Sequence, residues 1–78
     1  MDRPYADADY STRLTFDDQE GWTAIELYKS DQSGERRVAR VVFWDAIGQF
    51  VLDATSEELP LVIVDDLLSE ARDRIRTR

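Results

Sequence analysis

Apolar and polar residues alternate from Ser11 to Asp17, with Thr12, Leu14 and Phe16 on one side and Arg13 and Thr15 on the other. A period of two predicts a β-strand, because successive side chains of an extended chain point to opposite faces. Asp17-Asp18-Gln19-Glu20-Gly21 reads as a turn. Trp22 to Ser30 is rich in β-branched and aromatic residues and predicts a second strand. Asp31 to Glu35, with Gly34 near its end, predicts a hairpin loop, and Arg36 to Trp44 a third strand. Asp45-Ala46-Ile47-Gly48 has the composition of a type I turn, and Gln49 to Asp53 predicts a short fourth strand.

From Pro60 the period changes. Leu61, Val64, Leu68, Ala71 and Ile75 recur every three or four residues, the stripe of an amphipathic helix. Pro60 suits the first helical turn, where a missing N–H costs nothing. Arg72, Arg74, Arg76 and Arg78 gather at the end where cations complement the helix dipole, and Glu70 and Arg74 form an i,i+4 pair. Leu61 to Asp66 also has the look of a buried parallel strand ending in acids. That alternative needs a crossover upstream, and no helical pattern precedes it, so the helix is favoured. Residues 1–10, with Pro4 and three acids, read as a flexible acidic N-terminal arm, and residues 11–78 as one domain. The expected fold is α+β: a four-stranded antiparallel β-meander with one C-terminal α-helix packed on one face.

Centring the hairpin of the second and third strands on Ser33 makes a specific prediction about its faces. Trp22 then opposes Trp44, Ala24 opposes Val42, Glu26 opposes Arg40 and Tyr28 opposes Val38, all on one side. Opposite charges and aromatic or β-branched partners meet, pairings worth about 0.2–1 kcal/mol each. The other side holds Thr23, Ile25 and Leu27 against Ala39, Val41 and Phe43. Leu14, Phe16, Phe50 and Leu52 extend that side into an apolar face for the helix. A face carrying Trp22, Tyr28, Val38, Arg40, Val42 and Trp44 is then left over. Two indoles in one patch exceed the scattered apolar exposure of a monomer, and Trp, Tyr and Arg are enriched at interface hot spots. Three covers suit it: a second copy of the chain, a different protein, or the N-terminal arm folding back with Pro4, Tyr5 and Tyr10.

Composition narrows the chemistry. The 78-residue chain has no Cys and no His, which removes disulfides, Cys or His zinc sites, thiol nucleophiles and histidine acid–base catalysis. Its formal charge of −7 argues against a nucleic-acid partner, whose phosphates it would repel. The first residues lack the basic start and apolar run of a secretion signal, and no apolar run approaches the ~20 residues that span a bilayer. A cytoplasmic location without a membrane partner is expected. The pairs Asp17-Asp18, Glu57-Glu58 and Asp65-Asp66 are the only carboxylate motifs. Sequence neighbours diverge on a strand and on a helix, so none of them predicts a shared proton or a metal ion.

The sequence therefore predicts no catalytic residues, no metal and no cofactor. It points to a non-enzymatic protein–protein interaction module, self-associating as a homodimer or binding another protein through the aromatic face. The alternative is an acidic inhibitor, of the antitoxin or immunity kind, that binds a basic partner. Residues 45–68 contain six acids and no base, and Asp45, Asp53, Glu57, Glu58, Asp65 and Asp66 would carry that contact.

Overall fold

Each run of alternating residues forms extended backbone, and each strand pairs antiparallel with the one before it. The computed structural model describes residues 1–75. It contains β1 (Asp2–Tyr5), β2 (Ala8–Asp17), β3 (Trp22–Asp31), β4 (Gly34–Trp44), β5 (Gln49–Ala54) and the helix α1 (Leu61–Arg74). The sheet order is β1-β2-β3-β4-β5, a simple meander. The α+β class and the C-terminal helix agree with the sequence reading.

The sheet has five strands rather than four. The additional strand comes from the segment read as an arm: Asp2 to Tyr5 pairs with Ser11 to Ala8 of β2. Pro4 and the acids read as breakers, but β1 lies at the sheet edge, where a proline without an N–H is tolerated in a ladder. Tyr10 belongs to the core, and β1 extends the sheet sideways instead of folding over Trp22 and Trp44. The loop between β3 and β4 is also shorter than expected, with Asp31 pairing directly with Gly34. Gly34 has φ +106°, a value that disfavours any side chain there.

Segment 61–74 is helical, which settles the ambiguity of Leu61 to Asp66. Pro60 sits just before the helix, and its carbonyl accepts the N–H groups of Ile63 and Val64. The buried stripe is Ile63, Leu67, Ala71 and Ile75: Ala71 and Ile75 lie where the sequence pattern places them, but Ile63 and Leu67 take the places expected of Leu61, Val64 and Leu68. Leu61 is 79% exposed, and Val64 and Leu68 are half-buried at the flank of the contact. A strict repeat of four places one side chain per turn over the sheet. Arg72 and Arg74 occupy the last turn, and Arg74 donates to Glu70 at 2.8 Å as the spacing predicts. Arg76 and Arg78 lie outside the described residues.

The helix stripe meets Tyr10, Ile25, Leu27, Val38, Ala39 and Val41 on one face of the sheet. Full burial of each Ile, Leu or Val contributes about 1.5–3 kcal/mol, so these few residues supply most of the stabilisation. Polar ties fix the helix across the first strands. Glu70 accepts from Thr12 and from the Met1 ammonium at 2.6 Å, and Arg3 pairs with Asp66. Burial pulls the Glu70 carboxyl upward. Hydrogen bonds from the Met1 ammonium, Arg74 and Thr12 outweigh that and hold it below its ordinary value. The helix does not cover the whole apolar face. Leu14, Phe16, Phe50 and Leu52, expected beneath it, are exposed, Phe16 by 66%.

Candidate interaction surface

The face away from α1 is set by the pairing of β3 with β4. Trp22 opposes Trp44, Ala24 opposes Val42 and Glu26 opposes Arg40, the register expected from the sequence. The register then shifts between Leu27 and Tyr28: Leu27 faces Ala39, but Tyr28 faces Arg37. Val38 is the extra residue of this β-bulge. A bulge reverses the parity of the strand beyond it. Two predictions fail for this reason. Val38 leaves the aromatic face and joins the core under the helix, where it is 1% exposed. Arg37, which strict alternation along the strand sets on the side opposite to Arg40, shares the aromatic face with it and faces Tyr28.

The remaining predicted residues, Trp22, Tyr28, Arg40, Val42 and Trp44, are together on this face. Trp22, Trp44, Tyr28 and Arg40 are half-buried, while Val42 and its partner Ala24 are fully buried beneath their neighbours. Arg13 lies over the Tyr28 ring at 3.9 Å from its centroid, and Arg40 lies over Trp22 at 5.8 Å. Each guanidinium is also bonded to a carboxylate. Arg13 donates to Glu35 at 2.6 Å, Arg37 to Glu26 at 2.8 Å and Arg40 to Asp53 at 3.2 Å. The Tyr28 hydroxyl donates to Glu26 at 3.3 Å. Hydrogen bonds to these carboxylates raise the pKa of Arg13, through Glu35, and of Arg37, through Glu26. The surface is thus a set of aromatic rings held between arginine–carboxylate pairs, amphipathic but not bare.

Arg13, Thr15 and Arg37 are the residues of this face that the sequence reading missed. The β2–β3 register sets Arg13 opposite Glu26 and Thr15 opposite Ala24. The opposite charges at positions 13 and 26 are the feature of the sequence that carries this. Thr15 is unusual because its hydroxyl is buried without a hydrogen-bond partner.

The six acids of the alternative surface do not converge. Asp45 follows Trp44 at one end of β4, whereas Glu57 binds Arg36 near the other end, nine residues of extended chain or about 30 Å away. Asp53 is bonded to Arg40 and Asp66 to Arg3. Glu57 accepts from Lys29 at 2.8 Å and from Arg36 at 2.7 Å. Glu58 and Asp65 are exposed. Arg36 joins Glu57 to Asp31, and its hydrogen bonds to Asp31 and Glu57 raise its own pKa. Those contacts hold both carboxyls below the ordinary range: Asp31 through Arg36 and the Ser33 N–H, Glu57 through Arg36 and Lys29.

Asp17, in the first carboxylate pair, accepts the N–H groups of Gln19 and Glu20 at 3.0 Å and so shapes its own turn. Among the described residues no three metal-ligating side chains come together, and no helix is long and apolar enough to cross a membrane. Comparison with protein-family models, with curated proteins and with solved structures gives no match.

Proposed function

We propose that this chain is a small non-enzymatic protein–protein interaction module, acting in the cytoplasm, that self-associates through the sheet face bearing Trp22, Tyr28, Arg40 and Trp44. The observation that supports this reading is the one-sided packing of the helix. The α1 stripe fills the Ile25, Leu27 and Val41 side, and the cross-strand pair Trp22–Trp44 lies half-buried on the other. Indole rings beside an arginine supply large, stiff, amphipathic contact area, the chemistry of interface hot spots. A second copy is the preferred partner because a two-fold contact is self-complementary, setting the same aromatic patch against itself. A chain this short also has a small core, and association is a common source of further stability. The formal charge of −7 disfavours a nucleic-acid partner.

The test is Trp44→Glu. Trp44 is half-buried, so circular dichroism first checks that the variant is folded; in the contact its carboxylate would be buried unpaired. Sedimentation velocity should show the wild type associating at concentrations where the variant does not. An identical mass distribution for both would overturn the proposal.

A further inference from the structure

The two edges of the sheet differ in their chemistry. The Thr12 N–H donates to the Met1 carbonyl, which fixes the alternation along the β1–β2 ladder. Arg3 and Tyr5 turn their backbone groups inward, and Asp2 and Pro4 turn theirs outward. Pro4 has no N–H, so the outer edge of β1 offers an interrupted set of donors.

The outer edge of β5 is uninterrupted. The Thr55 N–H donates to the Val38 carbonyl at 3.0 Å, continuing the β4–β5 register. The alternation makes Gln49, Val51 and Asp53 bond inward to β4. Phe50, Leu52 and Ala54 therefore direct both N–H and C=O to the free edge. All six residues of β5 are exposed, and three in a row are apolar. Edge strands are usually blunted by proline, lysine, a bulge or an inward-pointing charge. β5 has none of these, and its single charge, Asp53, is bonded to Arg40.

We infer that β5 is a strand-pairing edge and that its occupant is β5 of a second copy, antiparallel about a two-fold axis at Val51. Self-complementarity singles out the second copy. In this register Phe50 exchanges both backbone bonds with Leu52 of the second copy, and Leu52 with its Phe50. Apolar residues meet at every central position: Phe50 faces Leu52 on the helix side and Val51 faces Val51 on the other. Asp53 faces the Gln49 amide, so no like charges oppose each other. A register centred on Leu52 would set Val51 against Asp53, and one centred on Asp53 would oppose two carboxylates. The result is one continuous sheet through both copies. This contact uses backbone groups of β5 and is separate from the aromatic-face contact proposed above.

Hydrogen exchange on the full-length wild-type chain tests the inference without a substitution. At concentrations where the chain associates, the Phe50 and Leu52 amides should be protected, and dilution should speed their exchange at least about tenfold. The Val51 and Asp53 amides, bonded to β4, should stay slow throughout. Leu52→Pro gives the second test, because it gives β5 the device that Pro4 gives β1 and deletes one outward N–H. It should lower the sedimenting mass at a given concentration, with the amides of Ile25 and Val41 still protected as proof of folding. Phe50 and Leu52 amides that exchange fast at every concentration, or a wild-type mass distribution for Leu52→Pro, would overturn the inference. Loss of association in Trp44→Glu alone would leave the aromatic-face reading standing and remove this one. Loss in Leu52→Pro alone would do the reverse.

Discussion

The phase of α1 predicts unequal consequences for two chemically identical substitutions. Leu67 is fully buried between the helix and the sheet, whereas Leu61, on the same helix, is 79% exposed. Leucine and alanine are both good helix formers, so backbone propensity contributes little to either change. At position 67, truncation removes buried methyl groups and leaves a cavity beneath Ile25 and Leu27, for which the expected cost is about 2–5 kcal/mol. A domain of this length has a total stability of about 4–12 kcal/mol. Leu67→Ala therefore removes a large share of it, and at about 4–8 °C per kcal/mol it lowers Tm by at least about 8 °C. Leu61→Ala should lie within about 0.5 kcal/mol of the wild type. Thermal and urea unfolding followed by circular dichroism, at one fixed concentration, measure both. Equal losses, or a larger loss for Leu61→Ala, would refute the assigned phase and with it the assignment of the aromatic face to the uncovered side.

Two further outcomes follow from polar groups. Thr15→Val should raise stability by about 1 kcal/mol, because it replaces a buried hydroxyl that has no partner with a methyl group; an unchanged or lower Tm would contradict the geometry. The Asp31 and Glu57 carboxyls are held below their ordinary range, chiefly by Arg36, so they bind protons more weakly folded than unfolded. The stability they contribute is complete above the unfolded carboxylate range near pH 4–4.5 and disappears as pH falls through the depressed folded values. Tm should decline in that acid window, and Glu57→Gln should reduce the decline; equal acid sensitivity in both proteins would show that the cluster is not its source.

Much of the hairpin at the centre of the molecule was legible because its residues agree at several levels. Trp22 with Trp44 and Glu26 with Arg40 fit one register, and the alternate positions Ile25, Leu27, Val41 and Phe43 fit one apolar face. The bulge was not legible, since Val38 and Ala39 are both small and apolar and suit either parity. Its displacement of Val38 and Arg37 followed from that one hidden residue. β1 was obscured by composition: Pro4 and its acidic neighbours argue against a central strand, and an edge strand carries few constraints to read. In the helix, the run Leu61 to Val64 offers two stripes. The sequence does not say which one meets the sheet, and the positions of Tyr10 and Val38, themselves missed, help to select Ile63. The convergence of Trp22, Tyr28, Arg40 and Trp44 was predicted from alternation alone. The covering of that face by Arg13 and Arg37 depended on the β2 register and on the bulge.

The meander has a consequence for how the protein emerges during synthesis. Strand order equals chain order, so each hairpin can close once its second strand has emerged, without waiting for distant sequence. The helix is the exception, since it returns over β3 and β4 after the entire sheet has been made. Until then the side of the ribbon carrying Ile25, Leu27 and Val41 is wet, and nascent chains on neighbouring ribosomes present the same sticky surface to one another. The covering of that side therefore waits on α1, Leu61–Arg74, which shields the strands made before it.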